Sequence, residues 1–213
     1  MKKIFTLIAV AMMAVSANAQ TEWNFSDWTV ETITTKTVNG LTVYSNAEKP
    51  VAVDANSKTV GDVTYTKRLK LGGASVFDTD GTTPLSRILA FDVTGPVGID
   101  IVLTTSNKTD DRVLCVDAVV SGSKSEVTTV NCTANELATK HIDYAGGAAT
   151  IYLYSQSGGI NIYDIKYSIK NAISNITTDA ANSNAPIYNL AGQQVSKDFK
   201  GVCIQNGKKF INK

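Results

Sequence analysis

The chain of 213 residues has few of the side chains from which catalytic and metal centres are built. It contains one histidine, three cysteines and three arginines. The histidine, His141, has no cysteine near enough in sequence to suggest a zinc cluster. No nucleophile-elbow motif occurs, and no pair of carboxylates stands out for glycoside hydrolysis. We therefore predict a protein that is not an enzyme, with no catalytic residues, no metal site and no cofactor.

The cysteines are too few and odd in number, so they do not provide a disulfide framework. Cys115 and Cys132 could form a bridge in an oxidising compartment. Alternatively, Cys115 lies within an apolar run and could be a small buried hydrophobic residue. Both interpretations stay open at this point, and Cys203 would be unpaired in either.

An excess of charge of one sign is also lacking. Without Lys2 and Lys3 the chain has 18 basic and 19 acidic residues, a formal net charge of −1. This balance does not favour nucleic acid or an anionic membrane as a partner. No second apolar run is long enough for a membrane helix. We expect no nucleic-acid partner and no membrane-spanning segment in the mature chain.

The N-terminus has the three parts of a secretory signal peptide. Lys2 and Lys3 are followed by the apolar run Ile4–Val15 and by the small residues Ala17-Asn18-Ala19. This pattern predicts a signal peptide over residues 1–19, cleaved after Ala19. The mature protein is then expected to be secreted or held at a bacterial cell surface, with the periplasm as an alternative.

Short alternating runs of β-branched and aromatic residues fill residues 20–169, and helical patterning is nearly absent. This pattern predicts an all-β domain, an antiparallel β-sandwich of jelly-roll type. A slip in apolar parity predicts a bulge near Tyr163–Asp164, and Trp23 and Phe25 are expected to anchor the core. The predicted strands are Thr42–Ser45, Thr64–Leu71, Ile88–Val93, Gly98–Thr104, Arg112–Val119, Glu126–Asn131, Lys140–Asp143, Ala149–Ser155 and Ile160–Ser168.

A tyrosine-rich hairpin around Ser157-Gly158-Gly159 is the main candidate for a binding surface. Tyr152 and Tyr154 share one strand face, opposite to their apolar neighbours, and Tyr163 lies on the partner run. Exposed aromatic rings could cover the flat faces of sugars. The alternative is that these rings pack under a loop or face the second sheet.

Basic side chains on predicted strands complete the candidate site. Arg68 and Lys70 share a polar strand face, and Arg112 lies at a strand start. If they converge, their charges suit the carboxylates of an acidic, uronate-containing polysaccharide. The alternative is a set of scattered surface ion pairs.

Two acidic clusters, Asp78-Thr79-Asp80-Gly81 and Asp110-Asp111, offer oxygen ligands to calcium. Neither fits a complete calcium-loop motif. Structural calcium is therefore an open alternative to the prediction of no cofactor.

The composition changes after the predicted sandwich, where Asn, Ala, Ser and Thr predominate. We predict a linker over residues 170–185 and a short β-rich tail over 186–213, with a hairpin turn at Asn206-Gly207. The tail resembles C-terminal sorting regions of proteins secreted by Bacteroidetes, which implies contact with outer-membrane secretion machinery. The matching residues are Tyr188–Leu190, Gly192-Gln193, Val195, Lys200–Val202, Ile204 and Asn206–Lys209.

The main domain also carries short motifs, at Trp23–Trp28, Lys67–Gly73, Arg87–Val93 and Asp111–Leu114. With the tyrosine-rich hairpin, they resemble β-sandwich modules attached to Bacteroidetes pectate lyases. This resemblance implies carbohydrate binding without bond cleavage. The predicted function is non-catalytic polysaccharide binding through Arg68, Lys70, Arg112, Tyr152, Tyr154 and Tyr163. The alternatives are a structural or adhesive surface protein without a small ligand and, third, a polysaccharide lyase.

Overall fold

The structure is a computed structural model that describes residues 20–170, 185–205 and 208–212. The predicted signal peptide, nearly all of the predicted linker and the Asn206-Gly207 turn lie outside the described residues. Residue contacts divide the chain after Asn171 into two compact units. Each unit is described by itself.

The first unit is an antiparallel β-sandwich, as predicted. Sheet A has the strand order β13-β10-β15-β6-β5-β2, with β1 also pairing with β15. Its strands are β1 (Gln20–Asn24), β2 (Glu31–Ile33), β5 (Val51–Val60), β6 (Val63–Gly72), β10 (Val97–Thr105), β13 (Ala138–Tyr144) and β15 (Ile160–Ile169).

Sheet B has the strand order β12-β11-β14-β9-β4-β3. Its strands are β3 (Lys36–Val38), β4 (Leu41–Tyr44), β9 (Ile88–Val93), β11 (Arg112–Val120), β12 (Ser123–Cys132) and β14 (Ala149–Ser155). A separate two-stranded hairpin consists of β7 (Val76–Phe77) and β8 (Pro84–Ser86).

Apolar side chains from the inner faces of both sheets form one core. Ile99, Ile101 and Leu103 of sheet A are buried there together with Leu89 and Phe91 of sheet B. This arrangement follows from the alternation of side chains along each strand. The alternate residues of each strand point to the other side of the sheet. We call that side, which is turned away from this core, the outer face.

The N-terminal aromatic residues anchor the core as predicted. Trp23 on β1 and Phe25 are buried, and Trp28 packs on Phe25 with ring centroids 5.0 Å apart. Phe25 lies in a single 3-10 turn, Phe25–Asp27, capped by the Asn24 side chain, and not in an extended strand.

The predicted strands are all present, and the predicted bulge is confirmed. Val102 pairs with Asp164 and Leu103 pairs with Ile162, which leaves Tyr163 without a partner in the register. As a result, Tyr163 and Asp164 both lie on the outer face of sheet A, where Tyr163 packs on Tyr65. The short strands β1, β2, β3, β7 and β8 and the long strand β5 were not predicted.

The second unit is a small four-stranded sheet with the order β17-β16-β18-β19. Cys203 is buried in it, while Leu190 and Ile211 are exposed. Its strands are β16 (Ile187–Asn189), β17 (Gln194–Val195), β18 (Gly201–Gln205) and β19 (Lys208–Asn212). In the described part of the chain, no helix has the length and apolar character needed to cross a membrane.

Candidate functional site

Tyr152 and Tyr154 lie on the outer face of sheet B, which is the face that their alternation predicted. They are not exposed there, because the β7–β8 hairpin covers them. The Phe77 ring centroid is 6.2 Å from that of Tyr152 and 5.1 Å from that of Tyr154. Tyr152 retains only 7% of its accessible surface. The expectation of an open tyrosine platform is therefore wrong for these two rings. They pack under a covering segment, as the alternative interpretation proposed.

Tyr154 is also tied to a buried charge. Its hydroxyl donates a hydrogen bond of 2.7 Å to Oδ2 of Asp117, which is itself buried. Lys124 Nζ lies 3.6 Å from the same carboxylate oxygen and 3.7 Å from the Phe77 ring centroid. Burial, together with the Asp117 carboxylate, raises the pKa of Tyr154. These contacts give the ring a structural role.

Tyr163 lies on the opposite sheet and cannot share a surface with Tyr152 and Tyr154. It is fully buried, and burial raises the pKa of its phenol. Its hydroxyl donates a hydrogen bond of 2.5 Å to Oδ1 of Asn56. The predicted three-tyrosine platform is therefore wrong, and Tyr163 instead supports the Asn56 side chain.

Asn56 belongs to a polar groove on the outer face of sheet A. The groove has a volume of about 200 Å³ and crosses four neighbouring strands, β5, β6, β15 and β10. Its lining contains no carboxylate. The lining residues are Asn56, Asn107, Asn135 and Asn161, which have amide side chains, Thr104, Thr105 and Ser106, which have hydroxyls, and Lys58, Arg68 and Lys108, which are basic. We call this set the amide groove.

Of the predicted basic residues, Arg68 lines the amide groove. Its Nε donates to Oδ1 of Asp54 at 2.8 Å, and its Nη2 lies 3.3 Å from Oδ2. Lys70 Nζ lies 3.5 Å from the same carboxylate but does not line the groove. Although burial opposes the effect, Arg68 and Lys70 lower the pKa of Asp54. Asp54 therefore holds the Arg68 fork in a fixed orientation.

Arg112 lies at the start of β11, among the loops at one end of the sandwich. Its Nη2 donates to Oδ2 of Asp110 at 3.0 Å, and its Nη1 donates to the Asp111 carbonyl at 3.1 Å. Arg112 does not line the amide groove. The predicted basic residues therefore do not converge on one surface with the tyrosines.

The amide groove was missed by sequence reasoning, except for Arg68. Asn107 and Asn135 lie in loops, and Asn135 has a left-handed φ of 58°. Asparagine is common in loops for conformational reasons, so these residues gave no distinct binding signal. Only the topology, which places β10 beside β15 and β6 beside β5, brings them together.

Of the two interpretations left open for Cys115, the bridge to Cys132 is absent. All three cysteines are free, and in the register of β11 and β12 Cys132 is opposite Arg112 while Cys115 is opposite Thr129. An offset of three residues along a strand is about 10 Å, beyond the reach of a disulfide. In addition, Cys132 faces the core while Cys115 is on the outer face of sheet B, so the alternative of a small buried residue holds for Cys115.

The acidic clusters considered for calcium are engaged in loop hydrogen bonds. Asp80 accepts from the backbone N–H groups of Thr82 and Thr83 and from the Thr83 hydroxyl. Asp111 accepts from the Ala134 N–H at 2.8 Å. Within the described residues, no group of three or more His, Cys, Asp or Glu side chains is arranged to hold a metal ion. Structural calcium stays untested.

His141 is an exposed strand histidine on β13. Its Nδ1 is 2.6 Å from Oδ1 of Asp100, and its Nε2 is 2.8 Å from Oδ1 of Asp143. The hydrogen bonds to Asp100 and then to Asp143 raise the pKa of His141. Both ring nitrogens contact carboxylates, so these contacts favour the imidazolium form. The contact with Asp100 also links the edge strand β13 to its neighbour β10.

Comparison with solved structures places the first unit among β-sandwich modules. The K2 cleaved adhesin domain of Lys-gingipain matches with a TM-score of 0.50 and 10% identity, over 71% of this chain and 100% of that chain. The CBM22-1 xylan-binding domain of Xyn10C from Paenibacillus barcinonensis has a TM-score of 0.47 and 13% identity, over 71% of this chain and 95% of that chain.

The tandem CBM22-1–CBM22-2 domain of the same Xyn10C has a TM-score of 0.48 and 14% identity, over 77% of this chain and 49% of that chain. Of these three structures, the adhesin domain reaches a TM-score of 0.50, and at 10% identity it supports the fold and not a ligand. No protein-family model matches the chain, and no curated protein matches it significantly.

Proposed function

We propose that this protein binds polysaccharide without cleaving it, outside the cytoplasm, and that the amide groove on sheet A is its binding site. Amide groups donate and accept in one plane, and hydroxyl groups do both, so together they can satisfy the many hydroxyls of a sugar chain. The observation that carries the proposal is that four asparagines and three hydroxyl-bearing residues, from strands of sheet A and the adjoining loops, line one groove.

The charge of the groove favours an acidic polysaccharide, such as one that contains uronate. Lys58, Arg68 and Lys108 line it, and no carboxylate does. In the part of the chain that the structure describes, neither Lys58 nor Lys108 takes part in an ion pair with an acidic side chain. A carboxylate on the ligand would supply the missing counter-charge.

The proposal is tested by isothermal titration of the mature full-length protein with polygalacturonate, alginate, xylan and a neutral glucan. We expect binding to the two uronate polymers that weakens as salt is added, because exposed charges are screened. Binding to neutral glycans only would remove the acidic preference. Binding to none of them would favour the alternative of a structural or adhesive surface protein.

Two lysine variants locate the site. Lys108→Ala removes a groove cation and is expected to weaken uronate binding about tenfold, the loss of one charge-assisted contact. Lys49→Ala is the matched control, because it removes the same charge from an exposed position of the same unit outside the groove. Equal effects of the two substitutions would contradict the assignment. Release of unsaturated products, seen as ultraviolet absorbance, would instead favour a lyase.

A further inference from the structure

Arg87 has an unusual backbone conformation for a residue that carries a large side chain. It lies between β8 and β9 with a φ of 62°, and its N–H donates to the Tyr44 carbonyl at 2.8 Å. The left-handed region is unfavourable for residues with a Cβ, and such residues cluster at ligand sites when the surrounding structure holds them in place. This position would accept glycine or asparagine more readily than arginine.

Two glycines make room for the Arg87 guanidinium. A Cβ atom on Gly72 would lie 2.7 Å from Arg87 Nε, and one on Gly73 would lie 3.1 Å from Nη1. The same Cβ on Gly73 would be 3.4 Å from the Ser157 carbonyl oxygen. The guanidinium therefore lies along the backbone of residues 72–73, beside the turn that connects β14 to β15.

Arg87 also lacks a counter-charge. Arg68 is paired with Asp54, and Arg112 is paired with Asp110. Among residues 20–170 and the described residues of the tail, no side chain or carbonyl hydrogen bonds to the Arg87 guanidinium, and its Nε is buried without a partner. The Arg87 side chain as a whole is half-buried, and its Nη atoms are not among the fully buried atoms without a partner. An unpaired fork of this kind matches the two oxygens of a carboxylate.

The position of Arg87 connects it to the amide groove. A Cβ on Gly159 would lie 2.3 Å from Oγ of Ser106, a groove residue, and 3.4 Å from the carbonyl oxygen of Gly72. Gly72 in turn contacts Arg87. Two glycines, Gly159 and Gly72, therefore separate the Ser106 end of the groove from the Arg87 guanidinium.

We propose that Arg87 anchors a carboxylate of an acidic saccharide whose chain occupies the amide groove. This inference rests on the proposed function and adds a residue and a ligand group to it. The strained backbone, the two flanking glycines and the missing counter-charge all serve to present one guanidinium fork at the end of the groove. A methyl ester in place of the carboxylate would remove this contact, because the ester carries no negative charge to pair with the guanidinium.

The test is titration of the full-length mature protein and of Arg87→Asn with oligogalacturonate and with its methyl ester. Asparagine tolerates the left-handed conformation, so the melting temperature is expected to stay equal or to rise. Affinity for oligogalacturonate is expected to fall at least tenfold. Affinity for the methyl ester is expected to stay unchanged. Arg87→Lys keeps the positive charge but loses the planar guanidinium. Its affinity for oligogalacturonate is expected to lie between those of the wild-type protein and Arg87→Asn.

The outcomes separate this inference from the proposed function. Arg87→Asn with wild-type affinity, while Lys108→Ala is weakened, would overturn the role of Arg87 and leave the amide groove as the site. Equal affinity of the wild-type protein for acid and ester would overturn the carboxylate assignment. Failure of the wild-type protein to bind any glycan would overturn both.

Discussion

The hydroxyl of Tyr163 donates a 2.5 Å hydrogen bond to Oδ1 of Asn56, which lies 107 residues earlier in the chain. The bond joins β15 to β5 across the intervening strand β6. It exists because the bulge at Val102/Leu103 turns Tyr163 away from the core. The buried Tyr163 side chain thereby holds in place the Asn56 amide, which lines the groove.

Removing this hydroxyl is predicted to weaken glycan binding as well as the fold. Tyr163→Phe frees the Asn56 amide at a cost in folding stability of about 1 kcal/mol, the usual contribution of one hydrogen bond. The affinity for polygalacturonate should fall about three- to tenfold. Titration calorimetry and urea denaturation measure the two effects.

Tyr65→Phe is the matched control for this prediction. The Tyr65 ring packs on Tyr163, but its hydroxyl is directed to Asp164, at 3.5 Å from Oδ2, and neither residue lines the groove. We expect a change in stability with no change in affinity. If the two variants bind equally well, Tyr163 does not support the binding site.

On the other sheet, Tyr154→Phe is predicted to destabilise the protein without affecting glycan binding. The substitution removes a hydrogen bond from a carboxylate, Asp117, that is only 5% exposed. The cost should be about 1–3 kcal/mol, because a buried charge loses a donor. Urea denaturation at pH 7 measures it.

Tyr152→Phe provides the comparison, since no hydrogen bond to the Tyr152 hydroxyl occurs among the described residues. Its effect on stability should stay within about 0.5 kcal/mol. A loss of polygalacturonate affinity in either variant, with the fold retained, would restore the tyrosines to the binding site.

The tyrosines on the two sheets show which features of the candidate site could be predicted from the sequence and which could not. Alternation correctly predicted that Tyr152 and Tyr154 face away from the core, because side-chain direction is a local property of a strand. It could not predict that Phe77, some 75 residues earlier, covers them. What covers a sheet face is a property of tertiary structure.

The same limit applies to the amide groove. The bulge near Tyr163 was predictable, because it shifts the apolar parity within one strand. The meeting of Asn56 with Asn161 and Thr105 depends on strand order, which alternation does not encode. Arg68 was found because it shares a polar strand face with Lys70, although only Arg68 lines the groove.

Cys132 is predicted to be a slowly reacting free thiol in the native protein. It is 1% exposed, and burial raises its pKa to about 11, from an ordinary value of 9.0. The thiolate fraction at pH 8 is then lower by about a hundredfold, so alkylation should slow by at least that factor.

Mass spectrometry after iodoacetamide treatment, with and without urea, follows this reaction. Denatured protein is the control and should accept three alkyl groups without prior reduction, because the three cysteines are free. A denatured, unreduced protein that accepts only one group would show that a Cys115–Cys132 bridge exists after all.

Stability is predicted to fall as pH rises above about 6.5, the ordinary pKa of histidine, because of His141. Hydrogen bonds to Asp100 and Asp143 raise its pKa in the folded state. A raised pKa means that the folded protein holds the proton more tightly than the unfolded chain does. The stabilisation is therefore complete below pH 6.5 and is lost as pH rises through the folded-state value.

His141→Gln isolates this contribution, since the chain contains no other histidine. The side chain is 55% exposed, so the effect is small, and the midpoint of urea denaturation should be followed in steps from pH 5.5 to 8.5. The wild-type midpoint should decline over this range, while the variant should give a flatter profile that starts lower at pH 5.5. Because Lys170 also pairs with Asp143, the carboxylate keeps a partner in the variant, and the difference reports on the imidazolium itself. Parallel profiles for the two proteins would show that the pH dependence arises elsewhere.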